Sequence, residues 1–155
     1  MIIAGRNRNY EEVAESLRAK RVLLFTCNTC IRLCGNIGGR EAAEKLSDKL
    51  IKDGIDVIDV IDVSAACIGK KVCGKLTSSK LGASDVILAL TCPLGASCIA
   101  AVSGVDVFNP VETIGVGYLD EDGVPIVVSD SCDFSEEMPA AEVAEDEGLK
   151  LTPFV

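Results

Sequence analysis

Short, wholly apolar runs alternate along this chain with segments of helical periodicity, and few folds accept that rhythm. The runs at 22–25 and 86–90 hold no polar side chain, as expected of strands buried on both faces of a parallel sheet. Between them, residues 40–53 place Ala43, Leu46, Leu50 and Ile51 on one helical stripe. The pairs Glu41/Lys45 and Asp48/Lys52 stand at i,i+4 on the wet side. Asn9 followed by Glu12 reads as a capping box opening an earlier helix, with Tyr10, Val13, Ala14 and Leu17 on its packed face. Helices near 70–81 and 96–102, a turn at 93–95 and a strand at 105–108 continue the alternation. The expectation is an α/β domain built on a flavodoxin-like parallel sheet with helices on both faces.

Two stretches break the pattern. Residues 55–63 repeat Ile-Asp-Val three times. Their β-branched residues favour a strand, but a period of three fits neither strand nor helix, so only part is expected in the sheet. Residues 118–128 place an Asp-Gly turn between apolar runs, predicting a C-terminal β-hairpin whose second strand Pro125 confines to an edge. Residues 133–147 then carry seven acidic side chains and no basic one, the pattern of an extended tail. The resulting division is an N-terminal helical arm (1–20), a cysteine-rich α/β metal-binding domain (21–132) and an acidic tail (133–155).

The chemistry lies in the cysteines. Seven of the eight follow predicted strands: Cys27, Cys30 and Cys34 after the first, Cys67 and Cys73 after the second, Cys92 and Cys98 after the third. Loops at the carboxyl ends of parallel strands gather along one edge, so thiols scattered in sequence are brought together in space. Cys27-x2-Cys30-x3-Cys34 offers three sulfur donors from one loop. The competing readings are small buried apolar residues or a thioredoxin-type redox pair. The redox pair needs a helix beginning at the first cysteine, whereas the pattern here starts its helix after Gly39. Zinc ribbons favour two compact Cys-x2-Cys knuckles and only one is present, which favours a [4Fe–4S] cluster over zinc. Cys27, Cys30, Cys67 and Cys92 form the leading ligand set, with Cys34 as substitute. One cluster is expected; a second would draw on Cys73, Cys98 and one or two of the others, and Cys132 is either a further edge residue or plain core.

Several classes are excluded or disfavoured. The chain has no histidine, which removes Ser-His-Asp and Cys-His catalysis and histidine-ligated zinc. Its net charge of −9 gives no footprint for nucleic acid. The positive charge is concentrated early: residues 1–54 carry ten Lys/Arg against seven Asp/Glu. Arg6, Arg8, Arg18, Lys20 and Arg21 are therefore either a docking site for an acidic partner or a solvated face. No run approaches a membrane span, and the first residues lack the apolar core of a signal peptide. A cytoplasmic, reducing setting is expected, where cysteine clusters are more often metal ligands than disulfides. The glycines Gly35, Gly38 and Gly39 before a helix lack the lysine of a P-loop, and read as turning room beside the cysteines. Asp56, Asp59 and Asp62 cannot share one face of a strand and read as solvated or capping groups.

Cys27-Asn-Thr-Cys30-Ile-Arg-Leu-Cys34 with Gly38-Gly39-Arg-Glu-Ala, the Ala65-Ala-Cys67 segment, Leu88-Ala-Leu-Thr-Cys92-Pro-Leu-Gly95 and the later segment 107–117 resemble the small iron–sulfur subunit of some anaerobic bacterial methylenetetrahydrofolate reductases, the methylenetetrahydrofolate reductase C-terminal family. The resemblance covers residues 21–128. It implies a non-catalytic electron-transfer or assembly subunit of an oxidoreductase complex. Its partners would be a larger flavin-dependent reductase subunit and an electron-donating iron–sulfur or flavin subunit. The rival readings are a zinc-stabilised structural adaptor and a stand-alone thiol-dependent reductase.

Overall fold

The computed structural model describes residues 1–128 and the backbone of Glu137–Pro139. Four parallel strands form the main sheet in the order β3-β2-β4-β5. They are β2 (Arg21–Cys27), β3 (Asp56–Val63), β4 (Val86–Leu90) and the short β5 (Val107–Phe108). The apolar runs of β2 and β4 are wholly buried because both faces are covered. Val22, Leu24, Leu88 and Leu90 face one core with α1 (Tyr10–Leu17) and α3 (Arg40–Lys52), which insert Val13, Leu17, Leu46 and Leu50. Leu23, Phe25, Ile87 and Ala89 face a second core with α4 (Gly69–Thr77) and α5 (Pro93–Ser103), which insert Val72, Leu76 and Ile99. Fully burying each such side chain contributes about 1.5–3 kcal/mol.

The Ile-Asp-Val repeat lies in the sheet almost entirely, and a bulge resolves its awkward period. Val22 pairs with Val57 but Leu23 pairs with Asp59, so Ile58 is the extra residue. Arg40 and Lys80 then donate to the Val60 and Ile58 carbonyls of this edge strand, which blunts it against strand addition.

A second, antiparallel sheet has the order β1-β6-β7-β8: β1 (Ile2–Asn7), β6 (Val111–Leu119), β7 (Pro125–Val128) and β8 (Glu137–Pro139). The predicted hairpin is β6–β7, but three features differ from expectation. Residues 2–7 form a strand paired with β6 rather than part of a helical arm. Pro125 opens β7, where it can stand without losing a ladder bond, and β8 covers the far side of that strand. Glu137–Pro139 thus belong to a sheet, not to a tail; the rest of 133–155, like Cys132, lies outside the described residues. The two sheets meet around α2 (Cys30–Leu33), whose Ile31 joins the first core while Cys34 packs with Ala4 and Val127.

The helix ends follow the sequence signals in part. Asn9 caps α1 by accepting the Glu11 and Glu12 N–H groups. α5 begins at Pro93 rather than at 96, with proline in the first helical turn, where its missing N–H costs nothing. α4 ends at Thr77, earlier than expected, and a single 3-10 turn, Leu81–Ala83, completes the connection.

Candidate metal centre

Because β3, β2 and β4 are neighbours, the loops at their carboxyl ends are neighbours too. The loop after β2 runs from Cys27 through α2 to Gly39, that after β3 through Ser64–Ile68, and that after β4 through Thr91 and Cys92 into α5. Backbone and hydroxyl bonds join them. The Asn28 N–H donates to Val63 O at 2.8 Å, and the Thr29 hydroxyl donates to Ser64 O. Thr26 is fully buried; its hydroxyl donates to Leu90 O at 3.1 Å and accepts the Gly39 N–H at 2.9 Å. That single group links the end of β4 to the entrance of α3. Gly39 has φ +90, a left-handed conformation that favours glycine. It cannot cap α3 with a side chain, so Asn28 does so from the neighbouring loop: its Oδ1 accepts the Arg40 N–H at 3.1 Å while its Nδ2 donates to Asp62 at 2.8 Å. Arg40 closes the network onto Asp62 at 3.1 Å.

Gly95 sets how closely two of these loops approach. A Cβ there would stand 2.9 Å from the Ala66 Cβ and 3.0 Å from Thr91. No larger residue fits without moving the Cys92 loop away from the loop that carries Cys67.

Four cysteines lie on these converging loops. The buried Cys27 accepts the Ala66 N–H at 3.4 Å, with Ser64 O at 4.0 Å. Burial pushes the Cys92 thiol up, opposed by hydrogen bonds from the Gly95 and Leu94 backbone; Cys30 and Cys27 lie close enough to raise it further. Cys30 is half-buried at the start of α2. Cys67 is exposed on the loop whose preceding N–H holds Cys27.

The remaining cysteines are placed differently. Cys34 is buried with its S–H toward Gly5 O at 3.7 Å, and burial raises its pKa; it faces the antiparallel sheet and serves packing there. Cys73 and Cys98 lie within α4 and α5 rather than on the strand-end loops. Cys73 is exposed, and Cys98 packs where the two helices cross beside Gly69. All seven described cysteines are free thiols. As the side chains stand, no three His, Cys, Asp or Glu among the described residues are grouped to hold a metal ion.

A cleft of about 660 Å³ opens beside the glycine loop, lined by Arg32, Asn36, Gly38, Gly39, Arg40 and Lys45 among others. Its cations are largely neutralised: Arg40 pairs with Glu44 and Asp62, and Lys45 with Glu41. Four of the five side chains of the early basic segment are paired as well. Arg6 and Arg8 pair with Glu112, Arg18 with Glu15, and Arg21 with Asp85. The Asn28–Asp62–Arg40 network was the part of the site that sequence reading missed; its one signal was a polar residue between two cysteines.

The chain matches no protein-family model, no curated protein and no solved structure. No helix among the described residues is long and apolar enough to cross a membrane.

Proposed function

We propose that this chain is an iron–sulfur subunit of a redox complex, of the methylenetetrahydrofolate reductase type that its cysteine motifs resemble, carrying electrons between a donor protein and a larger flavin-dependent reductase subunit in the cytoplasm. The observation that supports it best is the convergence of the loops carrying Cys27, Cys30, Cys67 and Cys92, joined where Cys27 accepts the Ala66 N–H at 3.4 Å and where Gly95 packs against Ala66. An all-sulfur donor set suits a [4Fe–4S] cluster, and backbone N–H groups directed at Cys27 and Cys92 are the kind of hydrogen bond that tunes cluster potential. Of the four leading candidates, Cys30 and Cys67 are not fixed by burial, so they can turn inward to complete four ligands. Such a cluster, when bound, supplies reversible one-electron transfer. The parallel order β3-β2-β4-β5 supports a reading of the sheet as a short flavodoxin-like one, with the ligands at its carboxyl edge.

Anaerobic purification with counts of iron, zinc and acid-labile sulfide tests this directly. Iron and sulfide in equal amounts, about four of each per chain, are the expected result. Zinc without sulfide would make the chain a zinc-stabilised adaptor, and the absence of both would end the metal reading.

A further inference from the structure

The cysteine edge combines exposed apolar side chains with positive charge. Leu94 is 59% exposed, Ile68 43% and Leu33 41%. Each sits on a different one of the three adjacent loops, beside Cys92, Cys67 and Cys34 in turn. Exposed apolar residues are ordinary when scattered singly, but one on each of three converging loops forms a patch.

The three loop segments themselves carry only positive charge, although Asp62 is hydrogen-bonded to Asn28 and Glu41 lies near Arg32. Residues 28–38, 64–71 and 91–96 contain Arg32, Lys70 and Lys71 and no carboxylate, in a chain whose net charge is −9. Local structure does not account for the two lysines. They stand in the first turn of α4, which has no acidic residue, and the positive end of a helix dipole disfavours cations there. Lys71 Nζ donates, among the described residues, only to the Ser64 hydroxyl, at 2.9 Å. Among the described residues neither lysine pairs with a carboxylate, as is also true of Lys20, Lys49, Lys52, Lys75 and Lys80, whereas Arg6, Arg8, Arg18 and Arg21 all do.

We propose that this edge docks a partner protein whose contact surface is acidic around an apolar centre, with Leu94 and Ile68 as the apolar middle and Lys70, Lys71 and Arg32 as the cationic rim. Its meaning as an electron-transfer contact rests on the iron–sulfur reading above. The chemistry of the face is complementary to a small acidic electron carrier. An apolar centre expels water over the sulfurs, and a charged rim orients a partner that the overall negative charge of the chain would otherwise repel.

The test uses an acidic ferredoxin as probe, titrated against the full chain at low and high salt. Saturable binding that salt weakens is expected. The double variant Lys70→Glu/Lys71→Glu should lose affinity by about tenfold or more, and Leu94→Ser should weaken binding with less change in its salt dependence. Lys20→Glu/Lys52→Glu makes the same charge change at the opposite end of the sheet, and should leave affinity within about twofold; circular dichroism checks that each variant is folded. No saturable binding at low salt, or an equal loss in both double variants, overturns the proposal. So does self-association of the chain that Leu94→Ser abolishes, since a second copy would then cover the face. Metal-free and metal-loaded chains are titrated separately. A loaded chain that fails to bind defeats the docking surface alone. Binding by a chain that never takes up iron keeps the surface and defeats the electron-transfer reading.

Discussion

The Cys27 sulfur accepts the backbone N–H of Ala66 at 3.4 Å, so the last residue of β2 is held against the residue before Cys67. Two loops far apart in sequence are thereby fixed at one sulfur. The contact also separates ligand candidates from bystanders. Cys27 and Cys92 are buried in the convergence, while Cys73 stands exposed on α4. Cys27→Ala and Cys92→Ala should each abolish metal binding and lower thermal stability, because a site's binding energy is also folding energy. Cys73→Ala should retain the wild-type metal content. Metal analysis of the three purified variants checks this, and retention of metal in both Cys27→Ala and Cys92→Ala would remove the assignment.

Gly95 tests the packing beneath the site. Alanine is the better helix former by about 1 kcal/mol, yet a methyl group here meets Ala66 at 2.9 Å and Thr91 at 3.0 Å. Overpacking of that kind costs about 1–3 kcal/mol, and neither neighbour can swing away: one is a bare methyl and the other a buried threonine. Gly95→Ala should therefore lower stability in urea unfolding. If it stabilised the fold, the two loops would not be in the close contact seen here.

Thr26 offers a chemical rather than steric probe. Valine keeps its shape but removes the hydroxyl that accepts the Gly39 N–H and donates to Leu90 O. The stranded N–H is buried, so the cost should be about 1–3 kcal/mol. Hydrogen exchange should show the loss around Gly39 and the start of α3 first. Unchanged exchange there would mean that Thr26 does not join these loops.

The central sheet was legible because its signal is local. A strand such as Val86–Leu90, apolar at every position, fits only where both faces are covered, and amphipathic stripes such as Ala43, Leu46 and Leu50 announce their own packing. The second sheet was not legible in the same way. Residues 2–7 carry Gly5, Arg6 and Asn7 among their apolar residues, and become a strand because β6, more than a hundred residues later, supplies the partner. In the bulge at Ile58, the spacing of the repeat hid a continuous strand. For the site, the topology rule located Cys27, Cys30, Cys67 and Cys92 at the strand-end loops, but short helices changed the directions of the rest. The four residues of α2 turn Cys34 toward the antiparallel sheet, while Cys98 lies inside α5, within the helix that the pattern already predicted over 96–102. Asn28 and Asp62 interact through three-dimensional contact, which no spacing in the sequence encodes.

The pH dependence of the fold should carry the signature of one exposed pair. Asp85 accepts the Arg21 backbone N–H and two guanidinium N–H groups at 2.8–3.0 Å, tying the start of β4 to the start of β2. Those hydrogen bonds, the guanidinium foremost, lower its pKa from 3.8 to about 2. A carboxylate whose pKa is depressed in the folded state contributes stability above its unfolded value and loses it as pH falls through the folded one. The Asp85 contribution should be complete above about pH 5 and decline from there to about 2. Asp85→Asn removes the charge at every pH. The gap in stability between wild type and variant should thus be constant near neutrality, close as acid is added, and shrink in high salt, because both groups are half-exposed. Urea unfolding of the two chains across pH 2–7 measures that gap directly. A gap that widened toward low pH would mean that Asp85 is not held ionised by Arg21.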